Sequence, residues 1–435
     1  MAFFRLYVKF KKYSLKLVKF NVRSLLVLTV IAMAFQGLVL LAQSKQPVTI
    51  KTLIRADEAQ QLQPLVAKFN QQHDDVRFQI IEAPSDSNQV EDLYTSSFLL
   101  GNSPYDLVYM DVVWTPKFAA AGWLEDVSDR LSPEEARQYL EGDIAAGMYE
   151  NKLYRIPFRS DAGMLYYRQD LLEQAGHEPP ETFQELLEIS QDLQQQELVQ
   201  WGYVWQGKQY EGLSAMFVEI LQGSGGFWVD ADTLKVGLDR PEAIKAVEFL
   251  RKAIATKVSP PGVTTYAEEE TRLLFQNGKA AFLRNWPYVY SAALDSAIAG
   301  KYSIKPMVHG VGFDSGATLG GWGWGISTST KHADAAWKVI EFLSSESSQR
   351  EFVLETGFVP SRIALFNDEA IVAKYNYYPK LLDVVQSSAL RPPISQYAQA
   401  SDILQRYLSA AITGKMTSKQ AMQAAAKETR NLLKR

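Results

Sequence analysis

Apolar runs and helical stripes alternate over residues 48 to 121, and that order constrains the fold of this chain more than any other feature. Residues 48–53 and 76–81 are short and β-rich, as strands are. Between them Leu62, Leu65, Val66 and Phe69 fall at i, i+3, i+4 and i+7, one face of a helix, with Pro64 marking an early turn or kink. Residues 88–100 read as helical, 105–110 as a buried strand, and 117–121 as a short helix ended by Gly122. A β-α-β-α order predicts an α/β layer with largely parallel strands.

The same pattern continues to the C-terminus. Strands are predicted at 153–158, 164–167, 201–205, 280–283 and 304–308. Helices are predicted at 182–196, 212–222, 240–256, 333–344 and 346–355, and the last 35 residues are strongly helical. Thr265-x-x-Glu268 has the form of a capping box opening another helix. No internal repeat and no low-complexity linker divides the chain. This organisation predicts two α/β lobes joined by more than one crossing, with a ligand cleft between them.

The N-terminal charge and the apolar run after it point to export of the body. Residues 1–23 carry seven basic residues and no acid, which leaves 38 Lys and Arg against 49 Asp and Glu, a body near −11. An acidic body argues against nucleic-acid partners. Leu25 to Ala42 is an apolar run after that basic segment, the pattern of a secretory signal, with Ala42-Gln43-Ser44 as a small-x-small site. At 18 residues the run is also long enough for an uncleaved inner-membrane anchor. Both readings export the body, to the periplasm or the outer face of the cytoplasmic membrane. The chain has no cysteine, which excludes disulfides, lipidated cysteine, thiol catalysis and thiolate metal sites. Its four histidines are scattered, and no metal or cofactor is expected.

The run Gly320-Gly321-Trp322-Gly323-Trp324-Gly325 reads as a Gly-rich loop ahead of a helix. Glycine lets backbone approach a ligand, and tryptophan offers a flat apolar face that suits a sugar ring. No phosphate loop, dinucleotide fingerprint or Gly-x-Ser-x-Gly elbow is present. Two carboxylates, Asp111 and Asp161, stand where a strand meets a turn, the usual place for ligand contacts in α/β proteins. Each can accept from neighbouring sugar hydroxyls; each can equally cap a helix or form a turn.

These residues carry a resemblance. Asp106-Leu-Val-Tyr-Met-Asp111-Val-Val-Trp114, Asp161-Ala-Gly-Met-Leu-Tyr-Tyr-Arg, Gln206-Gly-x-x-Tyr210-Glu211-Gly212-Leu213, Arg284-Asn285-Trp286-Pro287 and Gly321-Trp322 occur in fixed order across residues 48 to 435. In these the chain resembles the family 1 extracellular solute-binding proteins of bacterial ABC sugar importers, above all the trehalose/maltose-binding branch. The resemblance implies a type II periplasmic-binding fold that closes on a sugar. The implied divisions are 1–44 as signal or anchor, 45–158 and 285–327 as one lobe, and 159–284 and 328–435 as the other. It implies that Trp286 and Trp322 stack on sugar faces and that Asp111 and Asp161 accept hydroxyl bonds. Gly320 and Gly321 would offer backbone N–H groups, and Arg362 would donate from the opposite lobe. It extends to Tyr210, Glu211 and the Asp57-Glu58 loop. The implied partners are an ABC permease and a small sugar, bound by a monomer.

The chain departs from that pattern at Arg159, where the branch has an aromatic residue. Arg159 is placed to neutralise Asp161, or to meet a charged or highly hydroxylated ligand such as a glucosylated polyol or glycerate. Two rival classes share the same features. An exported glycoside hydrolase also needs stacking and two carboxylates, although Arg159 is expected to keep Asp161 ionised. A ligand-presenting partner of a membrane sensor would use the same fold.

Overall fold

The stripe of Leu62, Leu65, Val66 and Phe69 is buried on the helix Ala56–Gln72, which runs on through Pro64. A computed structural model describes residues 46–230, 233–386 and 388–434. The basic run and the apolar run at 25–42 lie outside the described residues. Val48–Arg435 form one compact unit. Among the described residues no helix is long and apolar enough to cross a membrane.

Two four-stranded sheets organise this unit. The first runs β12-β6-β11-β3, where β3 is Leu107–Asp111, β6 is Ile156–Ala162, β11 is Leu319–Ile326 and β12 is Val359–Pro360. Beside it β1 (Val48–Arg55) pairs in parallel with β2 (Val76–Ala83), and the Asp106 amide donates to the Lys51 carbonyl at 2.9 Å. A short antiparallel hairpin, β4 (Met148–Tyr149) and β5 (Lys152–Leu153), precedes β6. The second sheet runs β10-β7-β9-β8, where β7 is Met164–Arg168, β8 is Trp201–Val204, β9 is Ala280–Asn285 and β10 is Tyr302–Lys305. Among the strand pairs of the described residues, only β1/β2 and β8/β9 are parallel. The expectation of largely parallel strands fails at the centre of both sheets, where β11 pairs antiparallel with β6 and β3, and β7 pairs antiparallel with β9 and β10. β7 and β11 are the strands through which the chain enters the second sheet and re-enters the first, and neither is joined to its sheet neighbours by a single β-α-β crossover.

The Gly-Trp run is the middle of β11, not a loop. Trp324 is fully buried, with ring centroids 4.4 Å from Tyr109, 5.8 Å from Phe158 and 6.1 Å from Phe78. At the intervening glycines the neighbouring strand presses close. A Cβ on Gly323 would lie 2.4 Å from the Ile156 carbonyl, and Gly321 adopts φ +128° with the Arg159 carbonyl 2.6 Å from where a Cβ would be. Glycine is usually a poor strand residue, but here bulk is supplied by tryptophan and closeness by glycine.

Sheet membership moves the lobe boundaries. β6 ends at Ala162 in the first sheet and β7 begins at Met164 in the second, so the first crossing is Gly163, not residue 159. β10 belongs to the second sheet, so residues 285–327 are divided between the two; the second crossing lies between Lys305 and Leu319. The helices Ala333–Leu343 and Glu346–Thr356 pack on β11, β12 and Ala56–Gln72 of the first side, not the second. A third crossing precedes Tyr397–Ile412, which with Ser418–Leu432 packs on the second-side helices Glu211–Gly223 and Pro241–Ala255. The helix after Thr265 starts at Glu268, and Glu270 rather than Glu268 accepts the Ala267 amide, at 2.9 Å.

Gly163 carries the first crossing over a buried ion pair. A Cβ there would fall 1.7 Å from Glu219 Oε1, whose carboxylate is locked to the fully buried Arg284. Gly163→Ala is expected to destabilise the protein by about 1–3 kcal/mol through overpacking. Urea unfolding measures this, and an unchanged midpoint would show that the pair can move aside.

Candidate functional site

The C-terminal ends of β3 and β6 and the start of β11 bring Asp111, Asp161, Gly320, Gly321 and Trp322 to one wall of a cleft of about 650 Å³. Tyr210, Glu211 and Trp286, from the second side, line the same cleft. Register accounts for part of this grouping: Trp322 pairs with Asp111 on one edge and Arg159 on the other, and Gly320 pairs with Asp161.

Arg159 organises the first wall. Its Nε and Nη2 donate to the Glu58 carboxylate at 2.8 and 3.1 Å, and Nη1 is paired with Asp161. Its guanidinium also lies 4.5 Å from the Phe358 ring centroid and 5.8 Å from that of Trp322. Burial pushes the Glu58 carboxyl up, but Arg159, Arg55 and the Tyr109 hydroxyl outweigh it and hold Glu58 below its ordinary value. Asp161 moves the other way: burial raises it to about 6, and Arg159 only partly offsets that. The expectation that Arg159 keeps Asp161 ionised is met only in part: Arg159 pulls its carboxyl down, but burial, with Glu58 nearby, pushes it up.

A second guanidinium joins the two sides. Arg391, in the third crossing and 4% exposed, donates to Asp111 Oδ1 at 3.2 Å and to Glu211 Oε1 at 2.5 Å. Glu211 also accepts from the Tyr397 and Ser401 hydroxyls, both at 2.5 Å. Asp111 additionally caps the turn Val112–Trp114, accepting from the Val113 amide at 3.2 Å. Its binding and capping readings are therefore compatible.

The aromatic platform is Trp286. It is half-buried, and the Arg284 guanidinium lies 4.1 Å from its ring centroid, held by Glu219 and by Gln206 at 3.1 Å. Its indole N–H donates to Glu268 Oε1 at 3.3 Å, and the Tyr210 hydroxyl donates to Glu268 Oε2 at 2.6 Å. Trp322 is less free to stack. It is 4% exposed, wedged against Tyr109 and Trp114, with the Arg55 guanidinium 5.2 Å from its ring centroid.

Four of the anticipated residues sit differently from their implied roles. Glu58 lies behind Arg159 rather than on the cleft surface, whereas its neighbour Asp57 lines it. Arg362 is outside the cleft lining. Its guanidinium donates to the Ser344 carbonyl at 2.7 Å, Gln138 Oε1 at 2.6 Å and the Tyr139 hydroxyl at 2.8 Å, with Glu135 at 3.3 Å. Those partners engage the fork within the first side, so the donor role implied for Arg362 is not available in this geometry. Gly320 and Gly321 lie in the β6/β11 ladder rather than in a loop. The cleft adds Arg391, Glu268, Arg55, Tyr288 and Phe358, which the sequence pattern did not single out as ligand groups.

Comparison with known proteins gives the class. The family model of the bacterial extracellular solute-binding proteins matches residues 55–350, and the chain belongs to that family. A relative from Deinococcus radiodurans named "Probable ABC transporter-binding protein" is 31% identical over 352 residues, 79% of this chain and 82% of its own. The mannitol-binding protein of Pseudomonas aeruginosa is 26% identical over 441 residues, covering 93% and 97%. The solved structure of maltose-bound T. maritima MalE3 superposes with TM-score 0.84 at 37% identity, covering 88% of this chain and all of that one. The fold is thus the type II periplasmic-binding fold of two α/β lobes, and the protein is an extracellular binding protein, not an enzyme.

Beneath the wall, fully buried Asp143 accepts from Ser160 Oγ at 3.1 Å, one residue from Asp161. Burial raises its carboxyl from 3.8 to about 7, offset only in part by Arg155 and Ser160 and reinforced by Asp161. A carboxyl raised in the fold stabilises it at low pH, and that contribution is lost as pH climbs from about 4 through 7. The melting temperature of Asp143→Asn minus that of the wild type is therefore expected to increase between pH 4 and pH 8. A flat difference would mean that Asp143 is ionised at both ends of the range.

Proposed function

We propose that this protein captures a disaccharide or related glucoside outside the cytoplasmic membrane and delivers it to an ABC permease. The observation that carries the reading is the half-buried Trp286, backed by Arg284, in the same cleft as Asp111 and Asp161. A flat ring beside carboxylates matches a sugar's apolar face and hydroxyl rim, and charge-assisted bonds make the hydroxyl contacts strong. The likeness to a maltose-bound structure at 37% identity supports a gluco-configured ligand. Capture works if the sugar prefers the closed arrangement of the lobes, so that occupancy is readable by the permease. In this reading the basic run and apolar stretch before residue 45 either direct export and are removed or tether a monomer to the inner membrane.

Thermal-shift and calorimetric titration of the full chain with maltose, trehalose, sucrose and glucosylglycerol tests the proposal. A ligand at 100 times its dissociation constant should add about 2.7 kcal/mol of stability. With the sugar found, Trp286→Ala should weaken binding by about tenfold or more, the cost of removing a stacked aromatic anchor. Arg362→Met should leave the constant within about twofold. No response to any of the sugars would sink the carbohydrate reading. Loss of binding in Arg362→Met with the fold intact would restore that residue to the site.

A further inference from the structure

The cations of the cleft are already engaged. Five line it, and each has a carboxylate: Arg55 with Asp57 at 2.7 Å, Lys208 with Asp86 at 3.3 Å, Arg272 with Glu269 at 3.0 Å, and Arg159 and Arg391 as described. Eight carboxylates line the same space. Among the described residues, two of those eight form no ion pair, Glu268 and Glu270. Glu270 is exposed and accepts the Ala267 amide at the helix start. Glu268 is half-buried, and its two oxygens are oriented by Tyr210 and by the indole N–H of Trp286. The first turn of its helix already contains Glu269 and Glu270, so helix-dipole stabilisation does not require Glu268 to face the aromatic platform.

The cleft also holds unmet hydrogen bonds. Asp161 Oδ1 and Arg391 Nε have no partner among the described residues, although their side chains are more than nine-tenths buried. Buried polar atoms are rarely left so, and these two call for a ligand or water that both donates and accepts. A hydroxyl does both.

We infer that Glu268 is a ligand-binding residue that sets charge selectivity, so that the cleft takes neutral glycosides and refuses sugar acids. This rests on the carbohydrate reading above. Glu268 accepts a hydroxyl of the sugar stacked on Trp286, a charge-assisted bond. A carboxylate on the ligand would enter a space with an excess of negative charge, where each cation already faces a carboxylate that a second anion would compete with. The Arg159 departure from the family pattern is thus not a receptor for an anion, because Glu58 and Asp161 already satisfy its guanidinium.

Calorimetry on the full chain with two matched pairs tests this: maltose against maltobionate, and glucosylglycerol against glucosylglycerate. In the wild type the neutral member of a pair that binds should bind at least about tenfold tighter than its acid. Glu268→Gln keeps the side-chain shape; it should weaken the neutral sugar by about tenfold and bring the neutral-to-acid ratio towards one. Glu134→Gln, at an exposed position outside the cleft lining, should leave both unchanged. A wild type that binds either acid as tightly as its neutral partner overturns the inference whether or not the variant folds. Equal sugar affinity in wild type and Glu268→Gln overturns it while leaving the carbohydrate reading intact. Failure of every neutral sugar to bind the wild type brings both down.

Discussion

Arg391 is the side chain on which the geometry of the cleft turns. It reaches Asp111 on one side and Glu211 on the other from a segment that crosses between them. Burying three charges is costly, and the cost is met only if each finds partners. The Glu211 carboxylate is therefore ringed by Arg391, Tyr397 and Ser401, and that of Asp111 is held by Arg391 and the Val113 amide. Removing the guanidinium would strand two carboxylates at once. The arrangement fixes how far the third crossing stands from both walls, and so fixes the depth of the cleft that Trp286 overlooks.

Arg159 repeats the logic on a single wall. It satisfies Glu58 behind it and Asp161 beside it, and its guanidinium lies 4.5 Å from the Phe358 ring centroid. Two buried guanidiniums each serving two carboxylates make a lining that is highly charged yet internally paired. Such a lining is stiff, and a stiff polar wall suits a ligand rich in hydroxyls, which loses little by being held in one pose.

The sequence reached part of this. Asp111 and Asp161 were legible because a carboxylate at a strand end is a local pattern, and register alone then places Trp322 between Asp111 and Arg159. The alternation of helices and strands was legible from periodicity. The Gly-Trp run misled because glycine ordinarily argues against a strand; its reason to be one lies in Ile156, Arg159 and Tyr109, which are remote in the chain. Arg391 gave no signal, since its partners lie 280 and 180 residues away. Glu268 was hidden inside an acidic triplet that reads as a polar first turn, and two of its three members are that. Arg362 matched a motif, but Gln138, Tyr139 and Ser344 had occupied its donors.

The contacts that cross the mouth of the cleft are of a different kind from those at its base. Asp86 and Asn88, at the start of the helix Ser87–Leu99 on the first side, meet Lys208 and the Glu211 amide on the second, both at 3.3 Å. Lys208 is exposed, and an exposed ion pair of that length contributes little. The base is thus held by buried charge pairs and the mouth by weak ones. An equilibrium between open and closed mouths needs a small gap between the two states, since a ligand shifts it only by its difference in affinity for them. A strong ion pair across the mouth would close the empty protein and erase that difference. Weak rim contacts leave the decision to the ligand and to how much more tightly it binds the closed state than the open one.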